Sequence, residues 1–175
     1  RLRRYPELLD ALVRPALKHA AFEETLDLGL GQIEGDDLLA CMDPFRRFKA
    51  IEEFKTLAEW LAGGTLATLS TKLSLLADRG LRWVAERAAS ERLRDEAQDA
   101  WVVVALGKLG GSELSVHSDL DLVFLYDGTP GDSRRFEHHQ AFVRALHSFL
   151  EQPTGQGFAY RLDTRLRPDG RKGAL

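Results

Sequence analysis

Apolar residues recur every three or four positions through most of the first hundred residues, which is the period of an amphipathic α-helix. The stripe is continuous from Phe45 to Leu61, and Asp43 and Pro44 before it supply an N-cap acid and a proline at the first helical position. Gly63 follows and predicts the end of this helix. The pattern also predicts helices over residues 6–19 and 66–98, and a loop over residues 28–37.

The pattern changes at Trp101. Residues 101–106 form a short β-rich run that ends in glycine and predicts a buried strand. Residues 120–126 predict a second strand, residues 133–151 an amphipathic helix and residues 158–166 a third strand. The helix-sized connection allows the second and third strands to be parallel, whereas the shorter first connection leaves that pairing open. We therefore predict an α+β fold with a small mixed sheet.

Two regions are predicted along the chain: a helical region over residues 1–99 and a mixed core over residues 100–175. The chain lacks an initiator methionine and stops abruptly after the third strand, so we expect a fragment whose core is truncated at its C-terminal end. The first residues have no apolar segment typical of a signal peptide.

The composition of the chain excludes several classes of protein. The chain has 175 residues, of which 44% are hydrophobic and 29% charged, so it is neither a disordered tail nor a membrane protein by composition. Its longest apolar run is far shorter than the roughly 20 residues that span a bilayer. The net charge of −3 gives no general reason to expect a nucleic-acid partner. The single cysteine, Cys41, excludes an internal disulfide and is expected in the core of a cytoplasmic protein.

Two aspartates mark the start of the second strand. Side chains alternate along a strand, so Asp119 and Asp121 point the same way while Leu120 and Leu122 point into the core. Adjacent carboxylates repel each other, and Mg²⁺, or Mn²⁺ in its place, would remove that repulsion while binding substrate phosphates. Taken alone, an Asp-x-Asp pair is more often a turn cap or a solvent-facing pair. The glycine loop and a third acid favour the metal site here.

A glycine-rich loop precedes these aspartates. Gly107, Gly110 and Gly111 would let backbone N–H groups approach a phosphate, and Ser118 would add a hydroxyl donor. Lys108 could add a charge, although a solvated lysine explains it equally well. The spacing fits neither a Walker-type loop nor a dinucleotide-binding loop. A plain tight turn remains an alternative for the glycines.

The third predicted strand carries Asp163 on the same face as Arg161 and Arg165. A third acid beside Asp119 and Asp121 would complete a two-metal clamp for in-line phosphoryl displacement. Arginines such as Arg165 and Arg167 suit phosphate oxygens because they can bind them bidentately. The implied chemistry is nucleotidyl or phosphoryl transfer. His117 is predicted to be a loop residue, and His138 and His139, which are adjacent on a helix, are predicted to lie on the surface.

These motifs resemble a known family. Gly107 followed by eleven residues and Asp119-Leu120-Asp121 is similar to the signature of the polymerase-β-like nucleotidyltransferase superfamily. Within it, residues 107–114, 118–126 and 160–170 together resemble the glutamine synthetase adenylyltransferases, and the resemblance extends over nearly the whole chain. It implies a nucleotidyltransferase core in which Asp119 and Asp121 are the metal-binding pair and Asp163 the third acid. Gly110, Gly111 and Ser118 would lie in the nucleotide-phosphate loop.

The resemblance also implies a reaction. Members of the family move AMP from ATP to a tyrosine of glutamine synthetase and remove it by phosphorolysis, in two halves that glutamine and the PII signalling protein control. This chain holds one half, and residues 118–127 favour attachment whereas residues 152–160 look more like the removing half. Two alternatives stay open: a uridylyltransferase-like enzyme with another acceptor, and a non-catalytic module that senses nucleotide.

Overall fold

Helices form the first part of the structure and a small sheet the second. The computed structural model describes residues 19–93, 101–127 and 132–164. In that part of the chain the helices are α1 His19–Gly31, α2 Met42–Leu61, α3 Leu66–Arg92, α4 Gly107–Gly110 and α5 Ser133–Glu151. The strands are β1 Trp101–Ala105, β2 Leu120–Tyr126 and β3 Leu162–Asp163. The predicted α+β class is confirmed, and none of the described helices has the length and apolarity to cross a membrane.

Local signals set the starts of α2, α3 and α5 close to the predicted positions, whereas α1 extends to Gly31, into the loop predicted for residues 28–37. Helix α2 begins one residue before Asp43 and ends before Gly63, whose φ of +112° a side chain rarely adopts. Helix α3 begins after Thr65, whose hydroxyl accepts a hydrogen bond from the Thr68 N–H at 3.1 Å. Asp132 does the same for α5 through the Arg135 N–H. The helix predicted for residues 6–19 lies almost wholly outside the described residues.

One buried cluster joins the two predicted regions. Phe45 of α2 stacks on Trp83 of α3 at 5.7 Å between ring centroids and meets Phe149 of α5 edge-on at 5.2 Å. Helix α3 continues through Gly80, and Phe45 packs closely against this glycine, because a Cβ there would lie only 3.0 Å from Phe45 Cζ. The boundary near residue 100 falls outside the described residues, so the two-region division stays a prediction.

The sheet has the order β1-β2-β3. Strands β1 and β2 are antiparallel, with Trp101 opposite Tyr126, and β2 and β3 are parallel, as the connection lengths allow. Leu120 and Leu122 are buried as predicted. Strand β1, however, is not fully buried: Val102 is 56% exposed, because β1 is an edge strand that is covered on one face.

Strand β3 is shorter than the predicted 158–166. Only Leu162–Asp163 is paired in the described residues, because the preceding segment is bound to the end of α5 instead. The N–H groups of Ala159 and Tyr160 both donate to the Leu150 carbonyl oxygen, at 2.9 and 3.1 Å. A chain that satisfies its N–H groups on a helix end is not available to extend the sheet.

Several polar residues are buried at positions where the helical period predicts either an apolar residue or an exposed one. His139 of α5 was expected on the surface, but it is 4% exposed and stacks on Tyr126 of β2 at 4.4 Å, because it lies on the face that packs against the sheet. In α2, Glu52 and Glu53 are buried while Leu61 is 77% exposed. Lys55 and Lys49 pair with these glutamates, at 2.6 and 3.3 Å respectively, which satisfies the buried charges.

Arg46 is a buried connection between α2 and the turn after α5. Its guanidinium donates to the carbonyl oxygens of Phe149 and Gln152, at 2.8 and 2.6 Å, and to the Thr154 hydroxyl at 2.9 Å. We expect Arg46→Met to lower the free energy of unfolding by about 2 kcal/mol, because these acceptors lose their donor. Urea unfolding measures this, and Arg82→Met at an exposed position of α3 should change little. An equal effect of the two substitutions would contradict the structural role.

Candidate functional site

Two of the three predicted acids lie side by side in the sheet. Asp121 of β2 and Asp163 of β3 are register partners, and both are half-buried. Neighbouring strands lie about 4.8 Å apart, and partners in a parallel ladder project to the same face. The third acid, Asp119, is exposed immediately before β2. The described residues contain no group of three or more His, Cys, Asp or Glu arranged to hold a metal ion, so the three-acid site stays a prediction.

Gly107 packs against the carboxylate of Asp121. A Cβ built at Gly107 would overlap the Asp121 Oδ2 atom and lie 3.0 Å from its Cγ. Gly107 also has φ +53°, a left-handed backbone that L side chains rarely adopt. The strand end is fixed nearby, because the Leu106 N–H donates to the Asp121 carbonyl oxygen at 2.8 Å. Glycine at this position is therefore required both by the backbone and by Asp121.

The glycine-rich loop begins as one helical turn rather than as an open loop. The N–H groups of Gly110 and Gly111 donate to the carbonyl oxygens of Leu106 and Gly107, both at 3.0 Å. A Cβ at Gly110 would lie 2.6 Å from the Ala105 carbonyl oxygen, so close packing on β1 explains that glycine. Gly111 has only ordinary contacts near a built Cβ. Phosphate binding by Gly110 and Gly111 stays a prediction.

Ser118 closes a tight turn beside Asp119. Its hydroxyl accepts a hydrogen bond from the Ser115 N–H at 3.1 Å and lies 2.8 Å from the Ser115 hydroxyl. His117 within this turn has φ +63° and is exposed. The Leu114 N–H donates to the Ser74 hydroxyl at 3.0 Å, which binds the loop to α3. The Ser118 hydroxyl, directly before Asp119, thus already has a protein partner, and its binding to phosphate stays a prediction.

The structure describes some of the predicted cationic residues and not others. Arg161 is exposed, and its guanidinium lies 5.2 Å from the centre of the Phe158 ring. Lys108 is exposed on α4. Arg165 and Arg167 lie outside the described residues, so their binding to nucleotide stays a prediction.

A cleft of about 350 Å³ opens between the helical region and the loops that bear Ser118 and Asp119. Apolar walls come from α3 and Phe158, and the polar lining includes Lys49, Glu53, Ser115, His117, Ser118, Asp119 and Arg161. Sequence reasoning missed Lys49 and Glu53, because the helical region was interpreted as packing only. The signal that could have indicated them is a Lys–Glu pair spaced four residues apart, with Phe45 and Leu57 one turn before and after it on the same helix.

Tyr160 forms the buried base of this cleft. Burial raises the pKa of Tyr160 well above its ordinary value, and the neighbouring Glu53 carboxylate raises it further. The Lys49 ammonium lies 4.5 Å from the centre of the tyrosine ring. The phenol is therefore neutral at physiological pH, and the charged groups at this side of the cleft are Lys49 and Glu53. Acidic, cationic and hydroxyl groups thus line the cleft, and Asp119 is the one of the three predicted acids that borders it.

Comparison with known proteins identifies the family. The family model of glutamate-ammonia ligase adenylyltransferase matches residues 1–175. The chain belongs to the glutamate-ammonia ligase adenylyltransferase family.

The chain matches part of several longer relatives. One relative is a protein of Neisseria meningitidis serogroup B that is named bifunctional glutamine synthetase adenylyltransferase/adenylyl-removing enzyme. It is 40% identical over an alignment of 185 residues, which covers 99% of this chain and 20% of that protein. Proteins of the same name from Chromobacterium violaceum and Nitrosococcus oceani are 37% and 32% identical, each over 99% of this chain. The chain spans about a fifth of the length of these curated relatives.

Proposed function

We propose that this chain carries a nucleotidyl-transfer centre of a larger enzyme, which moves AMP between ATP and a tyrosine of glutamine synthetase. The observation that carries the proposal is the register pairing of Asp121 with Asp163, with Gly107 packed against the Asp121 carboxylate. Family membership and the printed name of the relatives supply the acceptor, since those proteins are named as glutamine synthetase adenylyltransferases and adenylyl-removing enzymes.

The donor set fits a hard divalent cation. Two half-buried carboxylates on neighbouring strands repel each other, and carboxylate oxygens are the ligands that Mg²⁺ prefers. Asp119, Asp121 and Asp163 would hold Mg²⁺, or Mn²⁺, which when bound neutralises phosphate charge. Arg161, with Arg165 and Arg167 beyond the described residues, would orient the phosphates.

In the attaching direction, the tyrosine oxygen of the acceptor attacks the α-phosphorus of ATP. The bond from that phosphorus to the pyrophosphate oxygen breaks, and Asp163 accepts the phenolic proton. In the removing direction, an oxygen of inorganic phosphate attacks the same phosphorus, and the bond from that phosphorus to the tyrosine oxygen breaks. Asp163 takes the proton of the phosphate and gives it to the leaving tyrosine, and ADP forms. Either direction would use this pair of neighbouring acids, and we propose that the chain carries one of the two reactions. Control by glutamine and PII is part of the proposal only through the family resemblance.

The proposal is tested in the full-length protein with glutamine synthetase and α-labelled ATP. Label transferred to the acceptor tyrosine indicates attachment, and release of labelled ADP from adenylylated acceptor on addition of phosphate indicates removal. Absence of both reactions would overturn the proposal. Mapping of the labelled residue by mass spectrometry checks the acceptor, and labelling from UTP in place of ATP would favour the uridylyltransferase-like alternative.

Nucleotide binding gives a second prediction. We expect calorimetry to detect ATP binding to the full-length protein with Mg²⁺, and Asp119→Asn to weaken that binding at least tenfold, or about 1.4 kcal/mol, because Asp119 borders the cleft. Asp36→Asn, in the exposed loop after α1, is the matched control and should bind normally. Equal affinity of wild type and Asp119→Asn would contradict the placement of nucleotide at these acids.

A further inference from the structure

The last residue of α5 is bonded to the strand that carries the third acid. The Glu151 Oε1 atom accepts a hydrogen bond from the Leu162 N–H at 2.7 Å. Leu162 directly precedes Asp163, and the two residues are the whole of β3 in the described part of the chain. A side chain of α5 therefore contacts the backbone one residue away from the proposed catalytic acid.

Sheet geometry shows why this bond matters. The Leu120 N–H donates to the Arg161 carbonyl oxygen at 2.9 Å, so Arg161 presents its backbone to β2. Backbone groups alternate direction along a strand, and the N–H of the next residue, Leu162, consequently points away from β2. Strand β3 is the last in the sheet order, so no further strand of the described sheet accepts from that N–H. Glu151 takes the place of a neighbouring strand.

The Glu151 carboxylate is itself held in place. Its Oε2 atom lies 3.3 Å from the His147 Nδ1 atom one turn earlier on α5. The adjacent Leu150 side chain is fully buried, and the Leu150 carbonyl oxygen accepts from both Ala159 and Tyr160. The end of α5 thus fixes the chain on both sides of Arg161 before it enters β3.

We propose that Glu151 is a positioning residue for nucleotidyl transfer. By bonding the outward N–H of Leu162, its carboxylate keeps the two-residue β3 against β2 and keeps Asp163 in register with Asp121. This rests on the proposed function, in which Asp163 handles the acceptor proton. Supporting groups of this kind change catalysis by roughly 10–100-fold when removed, because small displacements of a reacting group are costly.

The test compares Glu151→Ala with Glu151→Gln in the full-length protein. The alanine variant should lower kcat by roughly 10–100-fold and leave KM for ATP nearly unchanged, because the cleft residues are intact. The glutamine variant keeps an acceptor oxygen and should stay within roughly threefold of wild type. Glu137→Ala, which removes an exposed glutamate from the same helix, is the matched control and should behave as wild type.

Hydrogen exchange gives a readout that needs neither metal nor turnover. In Glu151→Ala the peptide containing Leu162 should exchange faster than in wild type, and in Glu151→Gln it should remain protected. Unchanged kcat in Glu151→Ala, or equal losses in the alanine and glutamine variants, would overturn the proposal. The measured reaction is the one that Asp121→Asn abolishes. If Asp121→Asn abolishes neither reaction, the proposed function itself fails, whereas loss in Asp121→Asn with a fully active Glu151→Ala refutes the positioning role alone.

Discussion

Asp121→Asn is expected to reduce AMP transfer at least about 1,000-fold while the protein stays folded. Asparagine keeps the shape of the side chain beside Gly107 but removes the negative charge that the proposed reaction requires. The measurement is the turnover of label between ATP and glutamine synthetase in both directions, in the full-length protein. Because the relatives are named for two opposite activities, one direction is expected to be lost and the other retained.

Asp121→Asn is expected to lose activity without losing thermal stability. Asp121 and Asp163 are register partners, and like charges at such positions destabilise a sheet. Removing one charge should therefore leave the melting temperature unchanged or raise it in metal-free buffer. Asp127→Asn, at the exposed end of β2, is the matched control and should change neither activity nor stability. Turnover within tenfold of wild type in both directions would contradict the role of Asp121.

Local sequence signals predicted the elements near the site closely. Strand β2 and helix α5 have the predicted bounds, since a short β-rich run defines the strand and an amphipathic period defines the helix. Strands β2 and β3 are parallel, an arrangement that the helix between them allows. Each of these signals acts within a few residues along the chain, where periodicity and capping chemistry determine conformation.

Contacts between distant segments could not be predicted in this way. The pairing of Asp121 with Asp163, the bond from Glu151 to Leu162 and the cleft beside Lys49 depend on how whole elements pack. The third strand was predicted too long because its alternation continues upstream, while the end of α5 binds that segment first. Burial of Glu53 likewise depends on a lysine partner that a hydrophobic pattern does not register.

The glycines illustrate the same limit. A glycine-rich loop before an acid pair predicts backbone that approaches a phosphate, and that expectation treats Gly107 and Gly110 alike. The structure separates them, because Gly107 faces the Asp121 carboxylate and Gly110 faces the Ala105 carbonyl oxygen. Glycine at 107 is thus explained by the Asp121 carboxylate that packs against it.

Gly107→Ala is accordingly expected to lower AMP transfer about 100-fold, because the new methyl group would displace the Asp121 carboxylate. The left-handed backbone adds a loss of about 1–2 kcal/mol in the free energy of unfolding. Turnover in the direction that Asp121→Asn abolishes measures the first effect, and urea unfolding measures the second.

Gly63→Ala separates the two effects of that substitution. Gly63 also has a positive φ, but a Cβ there meets no other atom within 4 Å, and it lies in the turn between α2 and α3. Its alanine variant should lose stability through backbone strain and keep full activity, whereas Gly107→Ala should lose both. If the two variants lose stability alike and both remain active, then the Asp121 carboxylate tolerates displacement, and its close fit against Gly107 is packing rather than preorganisation for catalysis.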